Sequence, residues 1–187
     1  MNCHALVTGA SSGIGGAIVA HLLADGWTVT GMSRKPVVQQ HPHLKSLSVD
    51  LLDTGALKPM LCTLPQVDAL VHAAGMMKAA PLGQLDESTS PLLWQLHIGV
   101  AELLANQLVE QMPTGGRIIL IGSRTSMGAA GRSQYVSTKP AMKGMVRSWA
   151  ASPSICRTGC HGHASADHAR LGKLRAETAV HRAIYSA

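Results

Sequence analysis

Val7-Thr8-Gly9-Ala10-Ser11-Ser12-Gly13-Ile14-Gly15 is the stretch on which the fold of this chain turns. The apolar run Ala5-Leu6-Val7 leads into it as a buried parallel strand would. A helical pattern leaves it, with Ile14, Ile18 and Leu22 recurring every four residues. A strand, a glycine turn and a helix start make a phosphate-binding device, because the free N–H groups and the dipole of the helix start attract a pyrophosphate. In this reading Gly9 allows the tight turn, Gly13 admits the phosphates close to the backbone, and Gly15 lets the helix pack on the strand. The Ser11 and Ser12 hydroxyls add hydrogen bonds.

Outward from the turn, strands and helices alternate. The pattern predicts strands near Cys3–Val7, Trp27–Met32, Leu47–Asp50, Ala69–His72 and Arg117–Ile121. It predicts helices near Gly13–Asp25, Thr54–Thr63, Pro91–Met112 and Gln134–Trp149, with Gly26 stopping the first and Ser90-Pro91 starting the third. Pro59 interrupts the second. The run Arg117-Ile118-Ile119-Leu120-Ile121 is continuous enough for a central parallel strand. The expected class is therefore α/β, a Rossmann-like doubly wound parallel sheet flanked by helices.

Bulk properties bound the rest. The chain has 187 residues, 46% of them apolar and none of them Phe, so its core is built from Leu, Val, Ile, Ala and Met. No apolar run approaches a membrane span and no signal peptide is visible, which suits a cytoplasmic protein. Cysteines at 3, 62, 156 and 160 are too few and too scattered for a disulfide scaffold. Residues 1–151 carry 11 Lys and Arg against 8 Asp and Glu, whereas residues 152–187 carry 5 against 2. The basic excess is thus concentrated in the last segment. No basic stripe with interleaved aromatics accompanies it, so neither nucleic acid nor membrane is an expected partner.

Chemistry-bearing residues cluster at predicted strand ends, where such sheets place their ligands. Ser123 follows strand five, and Tyr135-Val136-Ser137-Thr138-Lys139 begins twelve residues later. Tyr135 and Lys139 are four apart and share one helix face. A phenol titrates near pH 10, and a neighbouring ammonium favours its charged form. Ser123 is placed to hydrogen-bond a substrate oxygen and stabilise charge developing there. At the end of strand two, an acidic residue would bind the ribose hydroxyls of NAD and repel a 2′-phosphate. Ser33-Arg34-Lys35 stands there instead, and Arg34 offers a fork of donors to a phosphate.

Together these motifs resemble the short-chain dehydrogenase/reductase family in its simple form, over roughly residues 5–150. The resemblance rests on Thr-Gly-x-x-x-Gly-x-Gly at Thr8–Gly15, Ala73-Ala74-Gly75 after strand four, Ser123, and Tyr135-x-x-x-Lys139. It implies hydride transfer between a nicotinamide and a ketone or secondary alcohol. Tyr135 would be the general acid/base, and Ser123 would orient the substrate oxygen. Lys139 would hold the nicotinamide ribose and favour the phenolate. The implied cofactor site comprises Gly9, Ser11, Ser12, Gly13, Ile14, Gly15, Ser33, Arg34, Asp50, Leu51, Ala73, Ala74, Gly75, Tyr135 and Lys139. Asp50-Leu51 falls at the position beside the adenine. The expected cofactor is NADP(H) in preference to NAD(H). The resemblance also implies a homodimer or homotetramer built on the two long helices.

Three departures from the pattern stand out. His97 occupies the place of a common helix Asn that joins a proton relay to the Lys, and an imidazole both donates and accepts. Pro140 follows Lys139 and removes a helix hydrogen bond to Val136, which predicts a disturbed Tyr135–Lys139 geometry. Beyond Ala151 no strand signal follows, so the last strands of the family are expected to be missing, and the end reads as truncated or frame-altered. On this reading residues 1–151 form the nucleotide-binding domain, and 152–187 form an atypical basic tail with a helix over Ser165–Ser186. The tail pattern Cys156-x-x-x-Cys160-His161-x-His163-x-x-x-x-His168 has metal-ligand types, but its ligand pairs are too close together, and no metal is expected. Two readings remain open: an active NADP(H)-dependent oxidoreductase, or a cofactor-binding protein without turnover.

Overall fold

The computed structural model describes residues 3–151 and the backbone of residues 159–163. The strands are β1 His4–Thr8, β2 Thr28–Ser33, β3 Leu44–Ser48, β4 Ala69–His72, β5 Arg117–Ile121 and β6 Gly159–His163. They form one all-parallel sheet in the order β3-β2-β1-β4-β5-β6. The order reverses between β1 and β4, where a doubly wound sheet opens its ligand crevice.

Period-two alternation sends the strand side chains to two cores. Leu6, Leu70, Ile118 and Leu120 join the core under α2 (Thr54–Cys62), α4 (Val100–Leu108) and α5 (Ser133–Ala150). Ala5, Val7, Val71, Ile119 and Ile121 join the opposite core, against Ile18, Val19 and Leu22 of α1 (Gly13–Ala24). Ile14 is partly exposed and points its helix face away from that core, unlike Ile18 and Leu22. α1 ends with Gly26 N–H bonded to the Leu23 carbonyl and Trp27 N–H to the Leu22 carbonyl, the paired bonds of a Schellman motif. That stop turns the chain directly into β2.

The structure corrects several expectations. α2 runs through Pro59 and α5 through Pro140, so neither proline ends its helix. Pro140 is exposed, and water can satisfy the carbonyl it leaves unpaired. The predicted helix Pro91–Met112 is a composite: α3 Thr89–Trp94, a π turn at Gln95–Gly99, α4, and a 3-10 turn at Val109–Gln111. β3 begins at Leu44 rather than Leu47, because this edge strand is half exposed and its polar residues hide the pattern. β6 pairs with β5 from Arg117↔Gly159 to Ile121↔His163, in the segment expected to carry no strand. Backbone pairing with β5 makes it a strand, because Gly-Cys-His-Gly-His has no β-branched residue to signal one. The Cys156–His168 pattern and the Ser165–Ser186 helix otherwise lie outside the described residues. No helix among the described residues is long and apolar enough to cross a membrane.

Candidate functional site

A cleft of about 800 Å³ opens at the strand ends around the β1/β4 switch. Gly9, Ser11, Ser12, Gly13, Ile14 and Gly15 line one wall. Ser33, Arg34, Lys35, Asp50, Leu51 and Leu52 line the β2–β3 end, and Ala73, Ala74, Gly75 and Met76 lie past β4. The sequence-predicted cofactor positions other than Tyr135 and Lys139 thus share one cavity. Sequence reasoning passed over Val49, Leu52, Met76 and Leu96, whose apolar side chains carry no motif.

Close packing explains the glycines. Gly9 sits at φ +68, and a Cβ there would lie 2.9 Å from the Ala74 backbone. A Cβ on Gly15 would collide with the Gly9 carbonyl. Gly13 has empty space where a Cβ would be, on the cleft wall. Ser12 caps α1 in an extended conformation, yet its hydroxyl makes no capping bond. The first-turn N–H groups therefore keep the unsatisfied donors and the positive dipole end that suit a phosphate. The donor set fits a dinucleotide: amides at the turn and a guanidinium at the β2 end, with Asp50 folded into its own turn through a bond from Leu52 N–H to Oδ1. Ser33 is less free, since its Oγ donates to the Lys35 carbonyl at 2.6 Å.

Beyond Gly75 the cleft approaches the α5 residues. A Cβ on Gly75 would lie 3.0 Å from His97 Nε2 and 3.8 Å from Lys139 Nζ. Lys139 is buried, and its Nζ donates to the Ile121 carbonyl at 3.0 Å and to Met142 Sδ at 3.7 Å. Burial lowers its pKa to about 8. The Nζ sits 5.7 Å from the centre of the Tyr135 ring, within range of the ring's negative face. The helix thus holds Tyr135 and Lys139 together despite Pro140. Ser123 stands at the end of β5 with its Oγ bonded to Thr125 Oγ1 at 2.9 Å and accepting from Thr125 N–H. Among the described residues no hydrogen bond joins Ser123 to Tyr135.

His97 lies in the π turn, fully buried, with its ring edge-on to Tyr135 at 5.6 Å. Its Nε2 accepts from Met76 N–H. Its Nδ1 lies 2.8 Å from Thr138 Oγ1, whose own proton goes to the Tyr135 carbonyl. That leaves Nδ1 as the donor, so the ring is neutral with its proton on Nδ1. Burial, then the Lys139 charge, lowers the His97 pKa to about 3. Both ring nitrogens are thereby committed to holding the β4 loop against α5. Sequence reasoning missed Thr138 and His72, two of the buried polar groups in this network.

Known proteins share this architecture. A short-chain dehydrogenase from Streptomyces avermitilis superposes with a TM-score of 0.79 at 26% identity, over 87% of this chain and 64% of that one. A blue fluorescent protein from a metagenomic library, solved in complex with NADPH, gives a TM-score of 0.70 at 28% identity over 79% and 67%. The cyclic-di-GMP-binding biofilm dispersal mediator protein of Escherichia coli (strain K12) is 30% identical over 149 residues, 76% of this chain and 63% of its own length. L-xylulose reductase of Bos taurus is 29% identical over 147 residues, 74% and 60%. The chain spans about 60% of the length of these curated relatives. The match to the short chain dehydrogenase family model runs from residue 3 to residue 154, through the glycine turn, the β4 loop and the Tyr135–Lys139 helix alike. On that continuity, this chain belongs to the short chain dehydrogenase family.

Proposed function

We propose that this chain is an NADP(H)-dependent oxidoreductase that moves a hydride between nicotinamide and a ketone or secondary alcohol. The observation that carries the reading is the single cleft that begins at Arg34, passes the glycine turn and ends at Gly75, beside Lys139 and His97. The glycine-turn amides would hold the pyrophosphate, Arg34 the 2′-phosphate, Asp50 and Leu51 the adenine side, and Ala73–Gly75 the central wall. NADPH, when bound, supplies the hydride that a carbonyl carbon accepts. Tyr135 gives the hydroxyl proton to the carbonyl oxygen, or takes it back in the oxidative direction. Ser123 donates to the same oxygen, which requires its hydroxyl to turn from Thr125. Lys139 holds the ribose and keeps a positive charge beside the phenol ring. Cys3 and Cys62 are free and exposed, which suits a reducing compartment, and we place the protein in the cytoplasm.

A second reading, nucleotide binding without turnover, draws support from the same side chains. The Lys139 ammonium is already bonded to Ile121 and the Ser123 hydroxyl to Thr125. Following NADPH consumption over a panel of ketones, alongside NADPH binding by fluorescence, separates the two. Consumption supports the first reading, and binding without consumption selects the second.

Arg34 gives the cofactor choice its own test. A charge-assisted bond to phosphate contributes about 1.5–3 kcal/mol, so Arg34→Ala should weaken NADPH binding roughly 10- to 100-fold and leave NADH nearly unchanged. Equal losses for both in a titration would defeat the assignment.

Self-association through the long helices is the second proposal. Trp94 is half exposed on α3, and Leu103 and Trp149 are only partly covered on α4 and α5. Light scattering at roughly 10–100 μM should report a dimer or tetramer. A monomer throughout that range would remove the proposal.

A further inference from the structure

One buried titratable group that this chemistry leaves unused is His72, the last residue of β4, with 1% of its surface exposed. Its hydrogen bonds fix its state. Thr8 Oγ1 accepts from Ala74 N–H at 3.2 Å and lies 2.9 Å from His72 Nδ1, to which it donates. His72 Nε2 lies 3.1 Å from the Leu96 carbonyl, which only accepts, so the ring proton is on Nε2. Leu96 belongs to the π turn Gln95–Gly99, where widening of the helix disturbs the regular ladder and leaves carbonyls in need of outside donors. The next residue is His97, which carries the opposite tautomer and reaches Thr138 on α5. Two neutral imidazoles, 25 positions apart in sequence, thus form one polar line: Thr8, His72, the Leu96 peptide, His97, Thr138 and the Tyr135 carbonyl.

We propose that His72 is a positioning residue of this site: its Nε2–H anchors the π turn at Leu96 and so sets where His97 meets Thr138 beside Tyr135 and Lys139. The inference rests on the hydride-transfer reading for its effect on rate, but not for its effect on His97. Three features support it. The anchor is fully buried, so water does not substitute for the Leu96 contact. The side-chain bonds along the line all run in one consistent direction. A proton added to His97 would set its Nε2–H against Met76 N–H, so the line tolerates only the neutral ring. The charged or titrating groups facing His72 and His97 are each other, Lys139 of α5 and the Tyr135 hydroxyl. Burial followed by the Lys139 charge lowers the His72 pKa to about 4, in keeping with a ring that stays neutral.

The test is imidazole ¹⁵N NMR on the full chain labelled at histidine, combined with steady-state kinetics. In the unmodified chain, His72 should show the Nε2–H tautomer and His97 the Nδ1–H tautomer, both neutral from about pH 6 to 8. Either ring in the other tautomer, or titrating near its ordinary value of about 6.5, overturns the proposal. His72→Leu removes the anchor at similar volume, so His97 should lose its fixed Nδ1–H state. His72→Gln, whose amide reaches toward Leu96, should restore it. An unchanged His97 spectrum in His72→Leu overturns the proposal. If His72→Leu does not fold, a folded His72→Gln that loses the His97 signature does the same. In turnover, His72→Leu should lower kcat roughly 10- to 100-fold with a smaller change in NADPH affinity, and His72→Gln should recover it. An equal fall in NADPH affinity would place the effect on the glycine turn through Thr8 and overturn the proposal. A chain that never turns over contradicts the hydride-transfer reading alone, and the NMR result still decides the role of His72.

Discussion

Tyr135→Phe is expected to lower ketone reduction by about 10²–10⁴ while NADPH still binds, because a positioned general acid contributes that much to rate. The substitution keeps the ring that packs edge-on to His97 and lies 5.7 Å from Lys139 Nζ. It deletes only the hydroxyl, the group proposed to give the carbonyl oxygen its proton. The fall should appear in kcat, with little change in cofactor affinity, since the interaction lost is made in the transition state. Activity that survives Tyr135→Phe would mean that the α5 motif does not carry the chemistry. Comparing kcat and NADPH affinity for the two forms at one pH settles it.

Among the described glycines, Gly15→Ala should be the most damaging single methyl. The new Cβ would collide with the Gly9 carbonyl oxygen and lie 2.7 Å from its carbon, and both are backbone atoms that a rotamer change does not relieve. Overpacking of this kind costs about 1–3 kcal/mol. Relief requires the turn to move off the wall of the cleft, so NADPH affinity should fall along with stability. Gly144→Ala is the matched control. Its site on α5 has nothing within 4 Å of the added Cβ, and Ala there should stabilise by roughly 0.5–1 kcal/mol. Thermal denaturation of both variants, with NADPH titration, checks the contrast. A Gly15→Ala chain as stable as its parent and equally tight for NADPH would contradict the role given to the turn.

Much of this was legible because parallel strands buried on both faces read as continuous apolar runs. Ala5-Leu6-Val7 and Ile118–Ile121 are such runs, and the glycines between β1 and α1 have no other economical use. The cleft followed from the same logic, since strand order fixes which loops meet. What stayed hidden depends on partners rather than on pattern. β6 is held by its pairing with β5 and carries no β-branched residue. The π turn at Gln95–Gly99 shifts the helix phase locally, and the apolar spacing over Pro91–Met112 masks the shift. Pro140 reads as a break, although an exposed position within a helix packed through Met142 and Val146 tolerates it. His97 was visible as a departure, but its state is set by Met76 and Thr138, which no spacing rule connects to it. His72 gave no signal, because its partners come from β1 and the π turn.

Isotope transfer tests most directly whether this chain moves a hydride. NADPH carrying deuterium at the transferable nicotinamide position is incubated with the chain and a reactive ketone, and the product is analysed by mass spectrometry. Deuterium is expected at the carbinol carbon in proportion to NADPH oxidised, with none transferred by Tyr135→Phe above background. Bound NADPH that passes no deuterium to any ketone would contradict hydride transfer and leave a nucleotide-binding protein.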